Sequence, residues 1–226
     1  MRYILIIFSA FLVSFNVISC AIDELADKVT GSSSDDSSSD GSTGTYQLAT
    51  HDYANGVVTD SSGNIYVTGG TKGGLDGNTS AGNTDLFVVK YNSSGTKEWT
   101  KQLGSSGRDS ANGITIDSSG NVYVTGVTFG GLDWNTSSGS NDLFVVKYNS
   151  SGTKQWTKQL GTSKHDRARG VATDSSGNVY VVGYTYGELD GNTNTGASDI
   201  FVVKYNSSGT KQWTKQIGSS SQNYYY

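Results

Sequence analysis

The sequence predicts an all-β protein, a β-propeller-like array of three four-stranded antiparallel blades. Three observations predict it. A block of 57 residues occurs three times: Trp99, Trp156 and Trp213 stand 57 residues apart, and so do Asp60, Asp117 and Asp174, each heading a DSSGN turn. Residues 85–97 (DLFVVKYNSSGTK) recur unchanged at 142–154 and differ only by Ile for Leu at 199–211. Each block holds four β-rich runs, none with a helical period, and the 226-residue chain has no proline. A fixed period of this size means stacked supersecondary units. Four antiparallel strands per unit, repeated radially, describe a propeller blade.

The first block justifies its strands in order. Residues 54–60 (ANGVVTD), 64–69 (NIYVTG), 85–91 (DLFVVKY) and 96–103 (TKEWTKQL) are rich in Val, Ile, Tyr, Phe and Thr, the residues that suit a pleated surface. Ser61-Ser62-Gly63 joins the first pair and Asn92-Ser93-Ser94-Gly95 the second, tight connections with Gly or Asn to take positive φ. The third strand is apolar on both sides, with Phe87, Val89 and Tyr91 on one and Leu86 and Val88 on the other, so it belongs inside a stack of sheets. The fourth carries Lys97, Lys101 and Gln102, decoration expected of an outer edge. Its Trp99, like Trp156 and Trp213 in the other units, is the large side chain available to pack between blades. A β-solenoid, the main rival, usually has coils far shorter than this repeat and does not suit paired tight hairpins. The blades are expected at about 54–103, 111–160 and 168–217, within a repeat region of 45–226.

The residues ahead of the repeats read differently. Residues 4–17 are an almost unbroken apolar run after Arg2, too short to span a bilayer comfortably and the length of a signal-peptide core. The run ends in Val17-Ile18-Ser19-Cys20, which resembles the bacterial lipobox: an aliphatic residue, a tolerant position, a small residue, then the cysteine that receives lipid. Residues 1–19 are thus expected to be a lipoprotein signal peptide and Cys20 the lipidated residue. Cys20 is the single cysteine of the chain, which excludes an internal disulfide or a thiolate metal cluster. Residues 20–44, with GSSSDDSSSDGSTG at 31–44, lack apolar side chains to bury and read as a flexible tether. A coil of that length spans roughly 25–30 Å, which would hold the folded part just above the lipid headgroups. Six acids and one base lie in residues 21–44. Fourteen acids and fourteen bases lie in the repeat region. A neutral folded region argues against nucleic acid as a partner.

At this point a resemblance can be stated. The run from Asp60 to Gly104, DSSGNIYVTGGTKGGLDGNTSAGNTDLFVVKYNSSGTKEWTKQLG, and its two copies resemble the bacterial SBBP-type (seven-bladed) β-propeller repeat family over essentially all of residues 54–218. That resemblance implies a propeller fold and an extracytoplasmic setting, with no common reaction. The hairpin ending in Trp99 is also similar to the tryptophan hairpins of quinoprotein propellers. Closed propellers typically need 4–8 blades, and three complete ones are present. Residues 45–48 match only the end of an outer strand. The expectation is an incomplete or open propeller that leaves apolar faces bare at both ends, unless oligomerisation, such as two chains making six blades, closes it.

Candidate chemistry recurs blade by blade. His51 and His165 occupy equivalent positions in HDYANGV and HDRARGV, and Arg108 takes the place in the middle copy. Neighbouring residues on a strand point to opposite faces, so His and Asp there do not make a base with its orienter, and a surface role is expected. The long connection between second and third strands carries Asp76, Asn78 and Asp85, then Asp133, Asn135 and Asp142, then Asp190, Asn192 and Asp199. Such oxygen donors suit Ca²⁺, although the full calcium-loop pattern with its bidentate Glu is missing. The competing reading is that these side chains cap their own loop in Asx-turns. Trp134 stands where the other copies have Gly77 and Gly191, and an aromatic on a polar loop can contact a sugar or a protein.

The reading that follows is a lipid-anchored, non-enzymatic binding scaffold of the bacterial cell envelope. It would be held at the outer membrane or cell surface through Cys20, with no catalytic residue, no resident cofactor, and a protein or glycan as ligand. Two alternatives stay open: a truncated piece of a larger propeller, and a propeller hydrolase or quinoprotein-like enzyme.

Overall fold

The structure is a computed structural model that describes residues 51–220. The expected signal peptide, Cys20, the tether, the strand end at 45–48 and the terminal tyrosines lie outside the described residues.

Blade 1 comprises β1 (Asp52–Thr59), β2 (Ile65–Thr71), β3 (Asp85–Tyr91) and β4 (Lys97–Leu103). Blade 2 comprises β5 (Asp109–Ile116), β6 (Val122–Thr128), β7 (Asp142–Tyr148) and β8 (Lys154–Leu160). Blade 3 comprises β9 (Asp166–Thr173), β10 (Val179–Thr185), β11 (Asp199–Tyr205) and β12 (Lys211–Ile217). Each set forms its own antiparallel sheet in chain order, the array of blades that the repeat predicts. The first strands begin two residues earlier than expected, at the buried Asp109 and Asp166 in blades 2 and 3.

Side-chain chemistry explains the turns. Asp60 Oδ1 accepts from the backbone N–H of Ser62 (2.9 Å) and Asn64 (3.0 Å), and its Oδ2 accepts from Asn64 Nδ2 (2.8 Å) and the Tyr66 hydroxyl (3.2 Å). Gly63 completes that turn at φ +77°, a left-handed conformation glycine adopts without steric cost. The same set recurs at Asp117 and Asp174. Asn92, Asn149 and Asn206 close the second hairpin of each blade alike.

A β-bulge in the first strand of each blade shapes the seams. The register between β1 and β2 slips between Ala54 and Gly56, and that between β5 and β6 between Ala111 and Gly113. The extra residues, Asn55 and Asn112, stand out of the ladder. Asn55 Nδ2 donates to the carbonyl of Ala111 and Asn112 Nδ2 to that of Ala168, each at 2.8 Å. Opposite the bulge, Gly69, Gly126 and Gly183 are obligatory, since a Cβ there would fall within about 2 Å of a backbone oxygen on the first strand.

Each seam buries one face of a blade on the opposite face of the next. Tyr66, Leu86 and Val88 of blade 1 pack with Val122, Val124, Leu132, Phe144 and Tyr148 of blade 2, and Trp99 and Leu103 border them. Tyr123, Leu143 and Val145 of blade 2 meet Val179, Val181, Phe201 and Tyr205 of blade 3, with Trp156 and Leu160 alongside. Side chains of this size contribute about 1.5–3 kcal/mol each when fully buried. The outer hairpin of the following blade completes the seam. A Cβ on Gly152 would come within 3.0 Å of the Trp99 ring, and one on Gly209 within 2.9 Å of the Trp156 ring.

Two expectations change. Trp213, expected between blades, stands on the outer face of blade 3, because no following blade is present among the described residues. Nor are both ends bare. That face of blade 3 is open, with Ile200 61% and Ile217 72% exposed, but at the other end Phe87 and Val89 are buried.

Candidate functional site

Strand direction sorts the connections onto two ends. The DSSGN and NSSG hairpins lie at one end of each sheet. At the other lie the β2–β3, β6–β7 and β10–β11 connections and the links between blades. The positions where the near-identical blades differ in aromatic character gather at this second end. Phe129, Trp134 and Tyr186 are all exposed there, in blades 2 and 3.

Trp134 sits on a tight reverse turn. In blade 1 the N–H of Asn78 donates to the carbonyl of Leu75 (3.1 Å), with Asp76 at φ 54° and Gly77 at φ 79° between them. Positive φ at both central residues is the I′ type of turn, for which Asp-Gly is a preferred pair. Blade 3 repeats it with Asp190 at φ 55° and Gly191 at φ 76°. In blade 2 the pair is Asp133 at φ 52° and Trp134 at φ 67°, and the Trp134 side chain is 100% exposed. A bulky residue in the left-handed region is a steric outlier, and this one gains no internal contact in exchange.

The oxygen donors proposed for calcium are not brought together. Lys97, Lys154 and Lys211 pair with the Oδ1 atoms of Asp76, Asp133 and Asp190. The Asp76 carboxyl is held below its ordinary value of 3.8, first of all by the hydrogen bond from Lys97. Burial works to raise Asp133 and Asp190, but pairing with Lys154 and Lys211 works against it, and both are lowered. Asn78, Asn135 and Asn192 turn their Nδ2 groups back onto the carbonyls of Leu75, Leu132 and Leu189, each at 2.8 Å. This is the loop-capping role weighed above.

Asp85, Asp142 and Asp199 are buried at the starts of β3, β7 and β11. Asp85 Oδ2 accepts from Ala81 N–H (2.8 Å) and Gln102 Nε2 (2.8 Å), and the other two repeat the pattern. Their Oδ1 atoms have no hydrogen-bond partner. Each lies instead against the Cα of a glycine, Gly104, Gly161 or Gly218, where a Cβ would approach to 2.0, 2.0 or 1.7 Å. Weak Cα–H···O contacts of this kind recur in sheets. Among the described residues no group of three or more His, Cys, Asp or Glu is placed to hold a metal.

The histidines and their neighbouring aspartates diverge. Asp166 is buried and accepts from Thr162 N–H, Thr162 Oγ1 and Thr185 Oγ1. His165 Nδ1 meets Asn141 Oδ1 instead, and its ring packs edge-on to Tyr186 with centroids 6.0 Å apart. His51 is exposed. Asp109, the counterpart of Asp166 in blade 2, is raised by burial and, to a smaller extent, by the charge of Asp85, against the bonds from Ser105 and Thr128 that lower it. Each acid is enclosed by its own loop.

Sequence reasoning missed a run of side chains specific to blade 3. The Arg169 guanidinium lies 5.4 Å from the Tyr184 ring centre, Tyr184 meets Tyr186 edge-on at 5.9 Å, and Tyr186 meets His165. Beside them is a polar groove of about 790 Å³ lined by Lys164, His165, Tyr186, Glu188 and Asn194. Aligning the three copies carries the signal: Lys72, Phe129 and Tyr186 differ at one place of a largely shared run, and Gly70, Val127 and Tyr184 differ two residues earlier.

Comparison with known proteins bears on the same segments. The β-propeller repeat family SBBP matches residues 47–76, 98–133 and 155–190. A regulatory protein, FlaEY, of Caulobacter vibrioides is 27% identical over 184 residues, covering 72% of this chain and 19% of its own length. An uncharacterized WD repeat-containing protein, L264, of Acanthamoeba polyphaga mimivirus is 28% identical over 175 residues, covering 65% of this chain and 12% of its own. The chain thus spans less than a fifth of the length of either curated relative. A protein of unknown function from Bacteroides caccae, known from a crystal structure, aligns over 73% of this chain and 81% of that one, with 14% identity and a TM-score of 0.22.

Proposed function

This chain is built of SBBP β-propeller repeats, and from that premise we propose that it is a non-enzymatic binding scaffold whose loop end presents aromatic side chains to a protein or glycan partner. The observation that carries the reading is Trp134, fully exposed on a backbone position that disfavours it. A left-handed conformation costs a residue with a Cβ roughly 1–2 kcal/mol, and strain of this kind clusters at ligand-binding sites. Exposed indoles are prominent among the residues that dominate binding energies. Phe129 on the same connection, and Tyr186 beside the groove of blade 3, extend the aromatic character along this end.

The internal bonding of Asp76, Asp85, Asp109 and Asp166 and their counterparts supports a role without catalysis, since general acid–base work needs a group within reach of a substrate. The names of the two longer relatives, a regulatory protein and a WD repeat-containing protein, are compatible with an interaction role. In this reading the scaffold is anchored by lipid at Cys20 to the outer membrane or cell surface of a bacterial envelope.

The test is a binding screen on glycan and extracellular-protein arrays with the wild-type chain beside Trp134→Gly. That variant restores the residue found in the other two copies, so the fold is retained. The expected result is a ligand whose binding weakens at least about tenfold in the variant. A ligand bound equally by both proteins would remove Trp134 from the site, and absence of any ligand would remove the scaffold reading.

A further inference from the structure

The groove at the loop end of blade 3 is assembled from residues that the other two blades lack. Its volume of about 790 Å³ lies within the ~300–1,000 Å³ of ligand pockets. One wall is the link that enters the blade, residues 161–165, and the other comes from the β10–β11 connection, residues 186–197. Lys164, Glu188 and Asn194 stand where blade 2 has Gly107, Gly131 and Ser137, and Tyr186 stands where blades 1 and 2 have Lys72 and Phe129. Elsewhere the copies are nearly constant: residues 199–217 differ from 142–160 only at Ile200 and Ile217. The change is concentrated on connecting loops, where a rigid scaffold carries its binding residues. The groove does not stem from a missing neighbour. The link that leaves blade 3 is in place, with the Ser219 carbonyl against Gly196 as the Thr162 carbonyl lies against Gly139 one blade earlier.

The walls offer one fixed ring and several unspent polar groups. Tyr186 is 44% exposed, yet two rings hold it: His165 at 6.0 Å and Tyr184 at 5.9 Å, set at 82° and 76° to it. His165 is itself held through Nδ1 by Asn141, and its Nε2 has no bond among the described residues. Asn194 Nδ2 donates to the carbonyl of Gly187 (3.2 Å), which leaves Oδ1 as an acceptor. Lys164 and Glu188 are exposed and join none of the ion pairs among the described residues. One lysine balanced by one glutamate disfavours a phosphate or carboxylate ligand, which charge-assisted bonds from several cations would hold. Arg169 does not alter the balance, since it is bonded to the Tyr184 hydroxyl (3.4 Å) and does not line the groove. No Val, Leu, Ile, Met or Phe lines it either, so it lacks the apolar pocket that anchors a peptide side chain. What remains is an aromatic face beside interspersed donors and acceptors. That is the complement of a sugar ring, apolar across its C–H face and rimmed by hydroxyls.

We infer that this groove binds a neutral oligosaccharide, with one sugar ring stacked on Tyr186 and its hydroxyls bonded to Lys164, Glu188 and Asn194. The inference rests on the binding-scaffold reading, and it names a site in blade 3 that does not include Trp134.

Calorimetric titration of the full chain tests it, with cellohexaose, maltohexaose, xylohexaose and N-acetylchitohexaose as neutral probes and hexagalacturonate as the acidic one. At least one neutral probe is expected to bind, and hexagalacturonate is not. Tyr186→Lys and Glu188→Gly install residues that other blades carry at those places, so the fold is retained, and melting temperatures verify it. Each is expected to weaken binding at least about tenfold. Tyr186→Phe keeps the ring and is expected to hold affinity to within about threefold. Trp134→Gly is expected to bind the sugar as the wild type does. No bound neutral probe, preference for hexagalacturonate, undiminished binding by Tyr186→Lys, or a loss in Tyr186→Phe as large as in Tyr186→Lys would each overturn the inference. The two readings fail separately. A protein ligand that depends on Trp134, with no sugar bound, would end the groove site alone. A sugar that depends on Tyr186 and ignores Trp134→Gly would uphold the groove and remove Trp134.

Discussion

Asn112 donates from its side chain to the carbonyl of Ala168, 56 residues on and in the next blade, at 2.8 Å. The bond exists because Asn112 is the extra residue of a β-bulge and is lifted out of its own ladder toward the neighbour. Asn55 does the same for Ala111. Removing the donor leaves a carbonyl at a buried residue unsatisfied, which costs about 1–3 kcal/mol. Asn112→Ala and Asn55→Ala are each expected to lower the unfolding free energy by that amount in urea titrations. They act at different seams, so the double variant should lose about the sum, to within about 0.5 kcal/mol. A bulge that merely bends the strand would show no loss on truncating its side chain.

Trp134→Gly is expected to stabilise the protein while weakening ligand binding at least about tenfold. The left-handed conformation at φ 67° costs a residue with a Cβ roughly 1–2 kcal/mol. Glycine gives back about 0.4–1 kcal/mol through the freedom it adds to the unfolded chain. The net gain is up to about 1.6 kcal/mol, read as a rise in the urea midpoint with an unchanged slope. A fall in stability would mean that the indole makes a contact worth more than its strain, and its role would then be structural.

The blades were legible because two periods coincide in the sequence: alternation within each strand and 57 residues between strands. The DSSGN and NSSG turns announced themselves through Asp, Asn and Gly at positions that need side-chain caps and positive φ. The bulge was not legible, since Asn55 in ANG reads as an ordinary polar strand residue and its cause, the backbone packed against Gly69, comes from the partner strand. The calcium reading failed to see that Lys97, 21 residues after Asp76, folds back to pair with it. Trp213 was placed at a seam because its two copies are, and the repeat itself does not record whether a neighbour follows. The aromatic run from Arg169 to His165 was visible only as differences between copies, and it becomes a cluster once β10 and the Gly161–His165 link lie at the same end.

Gly161→Ala is expected to be among the most destabilising small changes available. Gly161 carries the Cα against which Asp142 rests the one carboxylate oxygen that has no hydrogen-bond partner, and a methyl group there would sit 2.0 Å from it. Asp142 is fully buried and also held by Ser138 N–H and Gln159 Nε2, so it has no free direction in which to retreat. Overpacking at a site of this kind costs typically about 1–3 kcal/mol. Gly191→Ala is the control. Its Cβ would meet nothing within 4 Å, so it bears only the cost of positive φ. Equal losses in the two variants would remove the steric argument.

Stability should fall on both sides of neutrality, and the sign follows from the direction of each shift. Burial acts to raise the Asp117 carboxyl, but hydrogen bonds from Asn121, Tyr123 and Ser119 outweigh it and hold it below 3.8. Asp60 and Asp174 are lowered likewise by their own turns, and Asp76, Asp133 and Asp190 by their lysine partners. A group lowered in the folded state stabilises it above the unfolded value and loses that contribution as pH falls through the folded one. The loss therefore begins near pH 4 and deepens below it. Asp109, raised by burial, runs the other way, and its single contribution opposes six. On the alkaline side burial raises the phenols of Tyr66, Tyr91, Tyr123, Tyr148 and Tyr205 above 10.0, so stability that is full below that value is lost as pH climbs beyond it. Melting temperatures from about pH 2.5 to 11 should show a plateau between these limbs. Asp117→Asn removes one titrating group from the acid limb, so its curve should lie below the wild type at pH 7 and approach it as pH falls below 3.8. Parallel curves across that range would show that Asp117 owes its place to geometry alone.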